Sequence, residues 1–219
     1  MCETRVHMQG VRRLYMVDAP TAKGVSRMSA LRRKRRLIWR NTQRNAHIAA
    51  LATAVQSDGN EALSMYGIEI DRPSRWPLRV AILVECTEQG QALMALLRGW
   101  ELLDAVPAEY GPNYDPDCDP SRDWRPGSRL IVTLMYAVKH DVSADVLIRA
   151  TGGRGSLTYI PEPTVLIDIA DGFDARAEAD TLVRIRDYRL RGWGVIRRCV
   201  PRPTESRGMN SSRVRTPAQ

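Results

Sequence analysis

Between Arg129 and Arg154 the segment RLIVTLMYAVKHDVSADVLIRATGGR sets two short apolar runs, each handing over to groups able to hold a phosphate. Thr133, next to the end of the first run, offers a hydroxyl and a backbone amide, and Arg149 closes the second with a planar guanidinium. Arg154 follows in a turn where Gly152, Gly153 and Gly155 carry no side chain, so the backbone there could come close to an anion. Asp141, between the runs, reads as an orienting carboxylate or as an ordinary turn acid. Plainer readings stand beside these: Thr133 as a branched strand residue, Arg149 as half of an ion pair, GGRG as a tight turn.

Two acidic sets could hold cations. Asp168 and Asp171 flank the end of VLIDI and could share a magnesium ion, although capping of the next helix accounts for Asp171 or Asp174 more simply. Asp115, Asp117 and Asp119 imitate the opening of a calcium loop, but the sixth-place glycine is missing and Pro126 stands in the twelfth place. The four cysteines and three histidines are scattered without a CxxC pair, so no metal site and no disulfide framework are expected.

The elements that would position these residues follow from periodicity. VAILV (Val80–Val84), ELLDAV (Glu101–Val106), LIVTL (Leu130–Leu134), DVLIR (Asp145–Arg149) and VLIDI (Val165–Ile169) read as buried strands. Ile48, Leu51, Ala52 and Val55 recur at helical spacing, with Asn41 or Thr42 as cap and an end near Ser57. Further helices are predicted over Glu88–Leu97 and Ala175–Leu190, the second with Ala179, Leu182, Ile185 and Arg189 along one stripe. Strands this uniformly apolar imply an α/β fold, a mostly parallel sheet with helices on both faces. Ligands of such sheets sit at the carboxyl ends of the strands.

Charge divides the chain. The 219 residues carry a formal +8, yet residues 37–194 hold 17 basic and 22 acidic residues. The excess belongs to the ends, so residues 1–36, finishing in ALRRKRR, are expected to be a basic flexible leader, with Met28 as an alternative start. Residues 37–198 form the domain and 199–219 a disordered basic tail. No apolar run is long enough to span a bilayer and none resembles a secretion signal, so a cytoplasmic protein is expected.

Several segments together resemble the second RecA-like lobe of superfamily-two DNA/RNA helicases, the helicase C-terminal domain. RLIWRNTQRNAHIAALATAV is similar to the segment preceding that lobe's first strand, and RVAILVECTEQGQALMALL to the strand and helix that follow. Thr133, Ala137 and Asp141 match the spacing of the family's fifth motif, with Lys139 where a glycine is usual. VLIDIAD and the pair Arg184 and Tyr188 resemble the closing strand and helix. Of the sixth motif, QRxGRxxR, Gly153 and Arg154 remain, while Ala150, Thr151 and Leu157 replace the glutamine and two arginines.

The resemblance, over about residues 37–195, implies a degenerate or truncated second lobe. Its phosphate contacts would come from Thr133, Asp141, Arg149 and Gly153, with Arg154 as the arginine offered to a transferred phosphoryl group. No GxxxxGK[ST] loop occurs, so no ATPase of its own is implied and no cofactor when alone; ATP and magnesium would enter only with a partner lobe on a separate polypeptide. Weak contact with DNA or RNA is the expected partnership. The alternative is a non-catalytic α/β interaction module that retains the fold without the chemistry.

Overall fold

A computed structural model describes residues 13–20, 28–57, 63–64, 66–70, 77–104, 125–158, 160–161 and 163–198. In chain order the elements are β1 (Arg13–Asp18), α1 (Ala30–Lys34) running on into a π-helical segment (Arg35–Trp39), α2 (Thr42–Gln56), β2 (Val80–Val84), α3 (Thr87–Met94) and β3 (Glu101–Leu103). They continue with β4 (Arg129–Thr133), α4 (Leu134–Lys139), β5 (Val146–Arg149), β6 (Val165–Ala170), α5 (Ala175–Leu190) and β7 (Gly194–Arg198).

One seven-stranded sheet runs through the protein in the order β3-β4-β2-β5-β6-β1-β7, and every pairing in it is parallel. The five-residue run of β2 is buried at every position, as a strand covered on both faces must be. Alternation along each strand feeds two cores. Ile82, Ile131, Ile148 and Ile167 face α2 and α3, whereas Leu83, Val132, Leu147 and Leu166 face α4 and α5. The expected α/β architecture is present, with helices on both faces.

The leader through residue 36 is corrected in two places. Residues 13–18 form β1, inserted between β6 and β7 with Leu14 opposite Leu166 and Val195. Residues 30–36 belong to a helical run capped by Ser29, whose side chain accepts from the Arg32 amide. Its arginines do not repel it from the fold, because carboxylates from distant parts of the chain meet them. The Asp115, Asp117 and Asp119 loop and the tail 199–219 lie outside the described residues.

Smaller differences have local causes. The LIVTL strand stops at Thr133, where the hydroxyl caps α4 by accepting from the Tyr136 amide. On α5 the buried stripe is Ala177, Thr181, Arg184, Ile185 and Tyr188, not the one drawn through Leu182, which is exposed. That face buries an arginine because a carboxylate waits beneath it.

Topology opens a crevice. Connections from β1 and β2 cross the α2/α3 face while those from β4, β5 and β6 cross the other, so chain leaving adjacent β2 and β5 diverges at their carboxyl ends. The β5–β6 connection contains no helix among its described residues, and Leu157 and Ile160 cover the sheet there.

Candidate functional site at the carboxyl edge of the sheet

Arg149 and Asp168 are register partners on β5 and β6, both directed to the α5 face, and both are buried. Two buried charges side by side in an apolar layer need more than each other, whose closest approach is 3.9 Å. α5 supplies the rest. Arg184 donates from Nε and Nη2 to the two Asp168 oxygens, each at 3.0 Å, and the Tyr188 hydroxyl donates to Oδ2 at 2.6 Å. Arg149 donates to the Tyr188 oxygen at 2.8 Å and to Thr151 at 2.9 Å. Burial, reinforced by Asp168, pushes the Tyr188 phenol well above its ordinary range, so it keeps the proton it donates. Burial opposes the charge on Arg184, but Asp168 more than offsets it and the guanidinium titrates above its usual value.

This network also clamps the glycine turn. Arg149 Nη2 donates to the carbonyls of Gly153 and Gly155, and Arg184 Nη1 to that of Gly153 at 3.1 Å. Between the two clamped carbonyls stands Arg154, its side chain 70% exposed and 3.9 Å from Asp180 of α5. Of the residues singled out in the sequence, Arg149, Gly153 and Arg154 therefore come together. Arg149 is an internal brace and Arg154 is the group that reaches solvent.

Thr133 and Asp141 do not join them. Thr133 is buried on the opposite face of the sheet, with Ile131, and its hydroxyl is occupied, donating to Asp104 Oδ1 at 2.8 Å while accepting from the Tyr136 amide. Asp141 is exposed beyond α4. Asp168 and Asp171 are each committed to an arginine, and among the described residues no group of His, Cys, Asp and Glu has the arrangement of a metal site. Asp174 does cap α5, as its spacing suggested, accepting from the Ala177 amide at 2.8 Å.

A second buried pair, unmarked in the sequence reading, lies above β5 and β6. Arg44 of α2 grips Asp171 with two bonds, 2.7 and 2.9 Å, and reaches the Ala150 carbonyl at 2.9 Å. The same carbonyl accepts from Gln89 Nε2 at 2.9 Å, and Gln89 Oε1 holds the Glu85 amide. These bonds tie α2, α3, β5 and β6 into one rigid edge. Among the described residues, the buried Arg44 Nη1 has no hydrogen-bond partner.

The helical run 30–39 then fills the crevice. Leu37, Ile38 and Trp39 are buried against the edge, with Trp39 Nε1 donating to Glu85 Oε2 at 3.2 Å. Lys34 pairs with Glu85, Arg33 with Asp174 at 3.0 Å, and Arg35 and Arg40 both with Glu88. The π turn carries all three of these consecutive buried side chains up to the start of α2. Gly152 lies beneath: a Cβ there would lie 2.0 Å from Ile38 Cδ1, so the buried Ile38 side chain would have to shift. Gly152→Ala is accordingly expected to cost about 1–3 kcal/mol, as overpacking does, measured as a lower urea midpoint. Adding Ile38→Val, which removes Cδ1, should restore most of it; an unchanged midpoint in the single variant would refute the seating of Ile38.

No protein-family model matches this chain, and no curated protein matches it by sequence. Among solved structures it is similar to T4 UvsW, a superfamily-two helicase, with a TM-score of 0.52 and 9% identity over 87% of this chain. It spans 42% of the length of that protein. Likeness at this identity is likeness of fold, and with the all-parallel seven-stranded sheet it gives the chain a helicase-like RecA-type α/β fold. Among the described residues no helix is long and apolar enough to cross a membrane.

Proposed function

We propose that this protein is a degenerate helicase-type second lobe, cytoplasmic, which contacts nucleic-acid phosphates and contributes to an ATP cleft only beside a partner lobe on another polypeptide. The observation that supports this reading is Arg154, exposed on a turn whose flanking carbonyls are held by two buried arginines. A cation fixed in this way meets a phosphate with less ordering cost than one on a free loop. Gly153 contributes backbone clearance and Arg149 positions the turn, while Thr133, buried with its hydroxyl committed to Asp104, and Asp141, exposed beyond α4, stand apart from this contact. ATP and magnesium would be held jointly with the other lobe, whose phosphate loop this sequence does not contain.

The test is titration of the protein into labelled single-stranded and duplex DNA and RNA at several salt concentrations. Binding should weaken steeply with salt, and Arg154→Ala should weaken it a few-fold and make the log-log slope shallower by about 0.7, the value for one contact to a single strand. The purified chain should turn over no ATP. Turnover by the chain alone would sink the partner-lobe reading, and no binding at low salt would sink the nucleic-acid reading. One observation favours the second reading, a non-catalytic interaction module: the crevice is occupied by the chain's own helix, among the carboxylates Glu85, Glu88 and Asp174.

A further inference from the structure

We propose that the main polyanion-binding surface of this protein is the outward face of the helical segment 30–40, with Arg32 and Arg36 as its free cations and Arg35 and Arg40 beside them. This deepens the nucleic-acid reading and rests on it.

The charge balance at the edge carries the argument. Six cations, Arg32, Arg33, Lys34, Arg35, Arg36 and Arg40, lie within nine residues and meet three carboxylates, Glu85, Glu88 and Asp174. Glu88 is shared by Arg35 and Arg40, whose side chains remain 47% and 66% exposed. Arg32 and Arg36 are exposed, one helical turn apart, and neither makes an ion pair with a described residue. Half the positive charge of the segment is thus left facing water. Arg176, exposed on the first turn of α5, borders the same cleft as Arg33 and Lys34.

The surroundings sharpen the contrast. Residues 37–194 hold more acids than bases, 22 against 17, so this segment stands out against an acidic body. An anion approaching the strand ends directly would meet Glu85, Glu88, Asp174 and Asp180, whereas one approaching the helix from outside meets guanidinium groups. Guanidinium forks suit phosphate oxygens in geometry and in weak hydration. The cations are also held in place: Ser29 caps the run, Leu37, Ile38 and Trp39 anchor its end, and Trp39 is bonded to Glu85. An ordered array forgoes the entropy that a mobile basic tail would lose on binding.

The partner of stated chemistry is a nucleic-acid backbone and not a lipid surface. A helix that lies on a membrane needs a free apolar face. Here the apolar residues of the run are buried against the protein, and Leu31 is its one exposed large apolar side chain.

The test compares the wild type, Arg32→Glu/Arg36→Glu, the milder Arg32→Gln/Arg36→Gln, and Arg154→Ala. Each is titrated into a fluorescein-labelled 20-nucleotide single strand and its duplex at low and physiological salt, with urea midpoints recorded to verify folding. The Glu pair should lose at least tenfold in affinity at low salt, and the Gln pair should make the single-strand salt slope shallower by about 1.4, two contacts at roughly 0.7 each. Arg154→Ala should lose less than either. If the wild type binds and both double variants stay within twofold of it, the surface lies elsewhere while the nucleic-acid reading stands. If the wild type binds neither oligonucleotide, that reading falls, and this inference with it. Binding to phosphatidylserine vesicles without oligonucleotide binding would assign the segment to a membrane and overturn the proposal.

Discussion

A chain shortened to begin at Met28 is expected to yield no cooperatively folded protein. The loss would be of β1, whose Leu14, Tyr15, Met16 and Val17 are buried on both faces of the sheet. Burying one such side chain is worth about 1.5–3 kcal/mol, so four amount to roughly 6–12 kcal/mol, comparable with the whole stability of an ordinary domain, about 5–15 kcal/mol. The cost extends further. Among the described residues β7 is hydrogen-bonded to no strand but β1, so removing β1 also strands β7 and exposes the edge of β6. Far-ultraviolet circular dichroism and urea unfolding of the shortened chain are the measurements. A steep transition with the midpoint of the full chain would show that β1 is dispensable and that its place in the sheet is wrong.

Asp168→Ala is expected to be the most damaging single substitution, by about 3–5 kcal/mol, the cost of breaking a buried ion pair from one side. Asp168 is wholly buried and receives Arg184 through two bonds and Tyr188 through a third. Its removal leaves two buried guanidinium groups, Arg149 and Arg184, with no carboxylate between them. Carbonyl acceptors remain for both, at Gly153 and, for Arg184, at Ile169, but none of them neutralises charge. Because the same arginines hold the 153–155 turn, the variant should also release Arg154, seen as faster proteolysis at that turn. Asp168→Asn separates the contributions: it keeps volume and one acceptor but loses the charge, and should fall between wild type and Asp168→Ala. An unfolding free energy from urea titration within about 1 kcal/mol of wild type for Asp168→Ala would refute the network's role.

Much of the sheet was legible because its signals are local. VAILV and VLIDI are apolar at nearly every position, and α5 has its observed bounds in its own pattern and in Asp174 as cap. What was not legible depends on distant partners. The run RRKRR reads as self-repelling because Glu85 and Asp174, which neutralise Lys34 and Arg33, lie 51 and 141 residues away. β1 is a short run inside a basic segment, intelligible only beside β6. Thr133 was read with a free hydroxyl, since nothing local announces Asp104 as its acceptor.

The buried face of α5 is a different kind of miss. Counting apolar residues alone favours Ala179 and Leu182 over Thr181 and Arg184, and so rotates the helix away from its real orientation. A usable signal was present all the same: Asp168 sits inside an otherwise apolar strand, and an isolated carboxylate there is too costly to leave unpaired. That requirement points to a cation on a neighbouring element, and the Arg184 and Tyr188 spacing provides it. The second pair, Arg44 with Asp171, had no comparable mark, since both residues fall at element ends where charged side chains usually face water.

The place of β1 between β6 and β7 has a consequence for synthesis. Leu14 leaves the ribosome about 150 residues before its neighbour Leu166, and Val195 follows later still. Until then β1 has neither neighbour to zip onto, and an apolar tetrapeptide stays open to chance encounters while the intervening residues are made. Such long-range closure is slow and prone to aggregation, so the yield of this protein should depend on chaperone supply and growth temperature more than its modest size suggests.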